Sequence, residues 1–249
     1  YRNNNQIKVD YDGNIGFFQQ KTTKIIPFPN RKCLLLTEEI QNFIDDLNEE
    51  ILLFTKGFRV RSDKEVYKKL ISTYKDDRYS YYKVNGIKYR VDIDGFFQVN
   101  NFTNPIFQDT VCDLIGTKKE YILELYSGVG FFSIPIALKG LASKIDAVEI
   151  SKEAGRNALY NNEENNVLIN SITGDSDKYF MELNQNPDIL IVDPPRAGLT
   201  EQIVNKIIDT KLPELIYISC GPSTYCRDIK PMLDNGYKIE KLYLLDNFP

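Results

Sequence analysis

The chain has 249 residues, 42% of them hydrophobic and 27% charged, with a formal net charge of −4. That length supports one large domain or two modest ones around a sizeable core, and no apolar run approaches the ~20 residues of a membrane span. Histidine is absent from the whole sequence, so within this chain every mechanism that needs imidazole is excluded, including the Ser-His-Asp triad and most zinc sites.

The sequence opens on Tyr1 rather than Met and shows no signal peptide; the expectation is a fragment or processed form of something longer. The first part reads as β-rich. Gln6–Tyr11, Ile15–Gln20 and Lys24–Phe28 are short alternating runs, and Asp12-Gly13-Asn14 is a hairpin signal. Thr37–Phe54 places Ile40, Phe43, Ile44, Leu47 and Ile51 at helical spacing, with Thr37 as the N-cap. Phe58–Val60, Tyr79–Val84 and Ile87–Ile93 read as further strands, the last two joined by Asn85-Gly86.

After about residue 95 the rhythm changes. Strands are expected at Tyr121–Tyr126, Ile145–Ile150, Leu168–Thr173, Asp188–Asp193 and Leu215–Ser219. They alternate with helices near Phe132–Lys139, Lys152–Glu164, Asp177–Leu183, Glu201–Thr210 and Ser223–Asp234. Such alternation implies a doubly wound, mostly parallel α/β sheet covered on both faces. Tyr237–Phe248 has β character and is expected to close the sheet as an antiparallel strand. The predicted division is a smaller N-terminal β-rich α+β domain, residues 1–94, and a Rossmann-like domain, residues 95–249.

Charge follows this division. Residues 1–92 carry 17 basic and 13 acidic side chains, and the remainder 14 and 22. If nucleic acid binds, the first part is the better platform, through stretches such as Lys64–Lys69 and Tyr79–Arg90; from charge alone a solvated surface is the preferred reading. Cys33, Cys112, Cys220 and Cys226 are scattered, as free thiols of a reducing, cytoplasmic compartment would be.

Five strand ends carry candidate chemistry. The first strand runs into Ser127-Gly128-Val129-Gly130, where glycine lets the backbone turn sharply and approach a ligand closely. Ser133 stands where a dinucleotide fingerprint has its third glycine, which favours a nucleoside without a pyrophosphate; from the glycines alone a plain β–α turn reads as well. The second strand ends on Glu149, placed to accept hydrogen bonds from ribose hydroxyls. Asp175 and Asp193 fall at two more strand ends, and ligands of open α/β sheets bind along that edge. Asp193-Pro194-Pro195-Arg196 is a stiff loop that can hold a carboxylate beside a flat substrate. Cys112, inside a helical pattern, reads as inert core. Cys220 lies where a strand gives way to Gly221-Pro222, and a helix beginning there would favour its thiolate.

In order, Phe96-Phe97-Gln98-Val99-Asn100, Leu125-Tyr126-Ser127-Gly128-Val129-Gly130, Asp193-Pro194-Pro195-Arg196-Ala197-Gly198-Leu199 and Ser219-Cys220-Gly221-Pro222 resemble the RNA 5-methyluridine methyltransferase family, together with Tyr1-Arg2-Asn3 and Ile15-Gly16-Phe17. The resemblance spans nearly the whole chain. It implies a class I methyltransferase fold, S-adenosylmethionine as cofactor, and a structured RNA partner, tRNA or rRNA. It further implies that a monomer with no membrane association methylates carbon 5 of uridine. Gln98, Tyr126, Glu149 and Asp193 match cofactor-binding positions, joined by Gly128 and Gly130 of the turn, and Asp175 is expected near the adenine. Cys220 matches the nucleophile. Carbon 5 of uracil is a poor nucleophile until a thiolate adds at carbon 6, so the chemistry independently calls for such a residue. The base must leave its stack, at roughly a few kcal/mol, and Phe96 or Phe97 is a candidate to stack on it, with core packing the expected work of at least one.

The chain departs from the family pattern in Ser127, where a cysteine is usual, and in Gly221, where Asn or Asp is usual. The family's proton-abstracting glutamate falls just past Asn247-Phe248-Pro249, so this chain is expected to start the reaction and not to finish it. Some members hold a 4Fe–4S cluster through three upstream cysteines and one resembling Cys33; here Cys33 is either that fourth ligand, belonging to a cluster of the full-length protein, or a core thiol. Cytosine-5 methylation of RNA and a non-catalytic RNA-binding protein on the same fold are the competing functions. A nicotinamide-dependent oxidoreductase is disfavoured by Ser133, and an adenine N6-methylase by Arg196, which is not aromatic.

Overall fold

The computed structural model describes residues 4–10, 12–47, 57–63, 65–70 and 78–247. By their contacts the residues group into two compact units, Tyr1–Pro105 with Asp246–Pro249, and Ile106–Leu245. The sequence rhythm changes near residue 95, about ten residues before this division.

The first unit is built on an antiparallel sheet in the order β3-β2-β1-β4-β5, from β1 (Asn4–Val9), β2 (Ile15–Phe18), β3 (Ile25–Pro27), β4 (Gly57–Asp63) and β5 (Glu65–Leu70). Asp10 shapes the first turn by accepting the N–H groups of Asp12 and Asn14 at 2.9 and 2.8 Å. Helix α1 (Glu38–Asp45) buries Ile40 and Ile44, one turn apart, against Ile7, Ile15, Phe58 and Val60. Thr37 is the N-cap by backbone position, but its hydroxyl pairs with Ser62 Oγ at 2.6 Å instead of capping the helix. The rest of the expected helix, residues 48–54, lies outside the described residues, as do Tyr1-Arg2-Asn3, Lys64 and the side chains of β5. β6 (Tyr79–Val84) and β7 (Ile87–Asp92) form a hairpin. Asn85 and Gly86 both have positive φ, 51° and 82°, as a two-residue turn between twisted strands requires. Arg61 is fully buried and donates to Ile93 O at 2.9 Å and to Gly95 O.

Helix α2 (Asn104–Ile115) precedes the second sheet. That sheet comprises β8 (Lys119–Leu125), β9 (Ala142–Glu149), β10 (Asn170–Thr173), β11 (Ile189–Val192) and β12 (Glu214–Tyr217). All neighbours are parallel, in the order β10-β9-β8-β11-β12. The chain winds outward from β8 in one direction and then the other, which opens a crevice at the carboxyl ends of β8 and β11. The helices α3 (Ser133–Leu138), α4 (Lys152–Glu164), α5 (Ser176–Glu182), α6 (Glu201–Asp209) and α7 (Pro222–Asp234) alternate with the strands. Leu123, Leu125, Leu190 and Val192 pack with Ile203, Val204 and Ile207 of α6 and with Met232 of α7. Four-residue β11 is buried at every position, as an inner parallel strand should be.

The expected closing strand at Tyr237–Phe248 does not form among the described residues. Tyr237 is anchored, its hydroxyl donating to Ile207 O and Leu212 O at 2.9 Å. Beyond it Leu242 is 73% and Leu244 98% exposed. The alternating sequence has neither a paired neighbour nor a buried face, and alternation without both does not make a strand.

Candidate active site

β8 delivers the chain into a tight loop with three residues in the left-handed region. Tyr126, Gly128 and Gly130 all have positive φ, 62°, 57° and 88°. A side chain at Gly130 would press on Ile134 Cδ1, 3.0 Å from its Cβ. Tyr126 is held in this unfavourable region by its N–H to Ser176 Oγ, 3.2 Å, and by its phenol, which donates to Asp177 Oδ1 at 2.6 Å. Burial and then the Asp177 bond push the phenol's pKa up, keeping it a neutral donor.

Glu149, the last residue of β9, closes the loop from the side. Its Oε2 accepts Gly128 N–H at 2.9 Å and its Oε1 accepts Ser151 N–H at 2.7 Å. Each oxygen keeps a free lone pair, so the carboxylate can take two further donors set close together, as a ribose diol presents them. Asp175 is exposed and caps α5, accepting the N–H groups of Asp177 and Lys178 at 2.9 and 3.1 Å through Oδ1.

Asp193 follows β11 directly, and Cys220 follows β12 by three residues. The two strands pair Val192 with Tyr217, and Ile218 N–H extends the ladder to Val192 O. Asp193 is partly buried, and burial pushes its carboxyl up to about 7. Cys220 is exposed, one residue before Gly221, the N-cap of α7. Cys112 is buried in α2, and burial pushes its thiol up to about 11, which suits an inert core residue. The second unit thus brings Tyr126, Gly128, Gly130, Glu149, Asp175, Asp193 and Cys220 to one edge of its sheet.

Gln98 belongs to the first unit, where its carbonyl accepts Asn104 Nδ2 at 3.2 Å. The two neighbouring aromatics differ sharply. Phe97 is buried and stacks on Tyr82, centroids 4.4 Å apart at 18°, whereas Phe96 is 71% exposed. Cys33 is half-buried against the first unit's core, its N–H donating to Gln41 Oε1 at 3.1 Å.

Two features of the site escape sequence reasoning. The loop after Asp193 is clamped by α7. The Asp228 carboxylate, 2% exposed, accepts Leu199 N–H and the Tyr217 hydroxyl, each at 2.7 Å. Arg227 pairs with Asp228 at 2.7 Å and donates to Ala197 O at 2.7 Å. Gly198 is obligatory beneath this clamp, because a Cβ there would lie 2.4 Å from Asp228 Oδ2. The second feature is Glu124, an acid inside β8 that is 1% exposed. Its only sequence signal is one charge in the apolar run Tyr121-Ile122-Leu123-Glu124-Leu125.

Comparison with known proteins agrees with this architecture. A family model described as tRNA (Uracil-5-)-methyltransferase matches residues 37–249. An uncharacterized RNA methyltransferase of Caldanaerobacter subterraneus is 33% identical over 193 residues, covering 76% of this chain and 42% of the relative. Another, from Leptospira interrogans, is 29% identical over 268 residues, covering all of this chain and 63% of the relative. The chain therefore spans about two fifths to somewhat under two thirds of the length of these relatives. Among solved structures, the Pyrococcus abyssi tRNA (uracil-54, C5)-methyltransferase in complex with S-adenosyl-L-homocysteine superposes with a TM-score of 0.80. It is 24% identical and aligns over all of this chain and 72% of its own, a likeness that establishes the class I methyltransferase fold. With most of its length inside the family match, this chain belongs to the tRNA (uracil-5-)-methyltransferase family.

Proposed function

We propose that this protein methylates carbon 5 of a uridine in a structured RNA, tRNA or rRNA, using S-adenosylmethionine. The observation that carries the proposal is the placement of Asp193 and Cys220 at the ends of paired strands, on the edge that also holds the glycine loop and Glu149.

The residues present fit the cofactor. Glu149 keeps acceptor capacity for the ribose, the glycine loop leaves backbone room beside it, and the acidic edge suits a cation. When bound, the cofactor supplies an electrophilic sulfonium methyl group. Tyr126 holds the loop in register through Asp177 and Ser176, and Gly128 and Gly130 bring its backbone close. Asp175 is assigned to the adenine side. Gln98 is assigned to the cofactor on the family resemblance.

Cys220 is the nucleophile. Its thiolate adds to carbon 6 of the uracil, and the electron pair this delivers makes carbon 5 nucleophilic enough to attack the methyl group. A base then takes the carbon 5 proton as the sulfur–carbon 6 bond breaks; on the family resemblance that base is a glutamate just past Asn247-Phe248-Pro249. Asp193, rigid between β11 and its prolines, is suited to orient the uracil. Residues 1–94 serve as the RNA platform and 95–249 as the catalytic domain. Of Phe96 and Phe97, Phe96 is the one exposed to stack on an extruded base.

The test is methyl transfer by the full-length protein from labelled cofactor to undermethylated RNA, followed by nucleoside analysis. Label in 5-methyluridine is expected. Label in 5-methylcytidine would replace uridine with cytidine as substrate. Cofactor binding with no transfer to any RNA would favour an RNA-binding protein on the same fold.

A further inference from the structure

Glu124 has no part in the reaction above, yet the fold spends a buried acid on it. In register it pairs with Ala147 on β9 and Ile191 on β11. Glu149 and Asp193 lie two residues further along those strands. Side chains two apart share a face, so the three carboxylates point to the same side of the sheet. Strand spacing and rise put the Cα of Glu124 roughly 8 Å from each of the other two.

Nothing in the unit neutralises them. The charged groups that act on Glu124 are Asp193 after β11 and Glu149 at the end of β9, both negative. From α3, Ser133 offsets burial only in part, and its own hydroxyl oxygen has no hydrogen-bond partner. Glu124 Oε2 is buried with no hydrogen-bond partner. Among the described residues, no lysine or arginine forms an ion pair with any of the three. A buried carboxylate with no cation to pair with either keeps a proton or waits for one. Burial, with Asp193 and Glu149 adding to it, raises Glu124 to about 8, and burial raises Asp193 to about 7.

We infer that Glu124 holds a proton in the ligand-free protein and releases it to solvent when a cation enters the cradle it forms with Asp193 and Glu149, so that the site separates a sulfonium cofactor from its neutral thioether product by charge. The inference rests on the cofactor reading above and adds a specificity device to it. One carboxyl O–H ionises, and no other bond changes. Affinity for the sulfonium form then rises about tenfold per pH unit up to the range in which Glu124 titrates, while affinity for the thioether stays nearly flat.

S-adenosylmethionine and S-adenosylhomocysteine are the probes, because they share adenosine, ammonium and carboxylate and differ in the sulfonium. Calorimetric titrations at pH 7 in phosphate and in Tris, whose ionisation heats differ, count the protons released. Release of about one proton with the sulfonium form and close to none with the thioether is expected. E124Q, which mimics the protonated acid in shape and charge, should bind both ligands and lose most of that difference. Equal release with both ligands, or an unchanged difference in E124Q, overturns the inference and leaves the cofactor reading standing. Heat from neither ligand overturns the cofactor reading itself.

Discussion

Replacing Glu124 with glutamine should stabilise the protein at neutral and alkaline pH. Glu124 is 1% exposed, and burial raises its carboxyl from an ordinary 4.5 to about 8. An acid raised on folding keeps a proton that the unfolded chain has already lost. Stability is therefore intact below about pH 4.5 and is lost as pH climbs towards 8. A tenfold change in proton affinity between the unfolded and folded chain is worth about 1.4 kcal/mol. The wild type should thus carry a penalty of about 3 kcal/mol at pH 7, growing to about 5 kcal/mol above pH 8. Glutamine removes the ionisation and brings an N–H group that can face Asp193 or Glu149. Urea unfolding of wild type and E124Q, without ligand, at pH 5, 7 and 8.5 reads this directly. The gap between the two should be small at pH 5 and widen with pH in favour of E124Q. A gap that is constant with pH, or that widens in favour of the wild type, would refute the reasoning.

Cys220→Ala should abolish methyl transfer and leave cofactor affinity within about twofold, since the thiol is exposed; transfer above a hundredth of wild type would remove Cys220 from the mechanism. Asp228→Ala strips the partner from Leu199 N–H, the Tyr217 hydroxyl and Arg227 at once. It should cost about 3–5 kcal/mol of stability by thermal or urea unfolding. Gly198→Ala forces a methyl to 2.4 Å from Asp228 Oδ2 at φ 78°, costing about 1–3 kcal/mol and displacing the loop after Asp193, so methyl transfer should fall further than cofactor binding. Phe96→Ala should weaken RNA affinity by about 1–3 kcal/mol with unfolding unchanged, whereas Phe97→Ala should lower stability by about 3–5 kcal/mol through loss of its core packing.

The α/β half of the fold was legible because its signals are local. Ser151 accepts Ala154 N–H and starts α4 at Lys152, and the helix runs to Glu164 as its spacing indicates. The glycine loop and the acids at strand ends were readable for the same reason, since a parallel sheet puts every strand end on one edge. What was hidden depends on partners distant in sequence. Thr37 looked like a capping residue, but Ser62, twenty-five positions away, takes its hydroxyl. Asp228 appears in the sequence as one polar residue of an amphipathic helix, and its role exists only because the loop at Leu199 returns beneath it. Leu242 and Leu244 alternate like strand residues, yet pairing is not encoded in alternation. Glu124 reads in the sequence as one charge within an apolar strand, because burial of its Oε2 without a hydrogen-bond partner is a property of the folded state alone.

Covalent catalysis by Cys220 is tested most directly with a fluorinated substrate. A uridine carrying fluorine at carbon 5 lets the thiolate add and the methyl group transfer, then blocks release, because fluorine cannot leave as a proton does. Incubating the protein with 5-fluorouridine RNA and S-adenosylmethionine should give a protein–RNA adduct that survives denaturation and maps by mass spectrometry to the peptide containing Cys220. No adduct with the wild-type protein, or one that persists in Cys220→Ala, would contradict it.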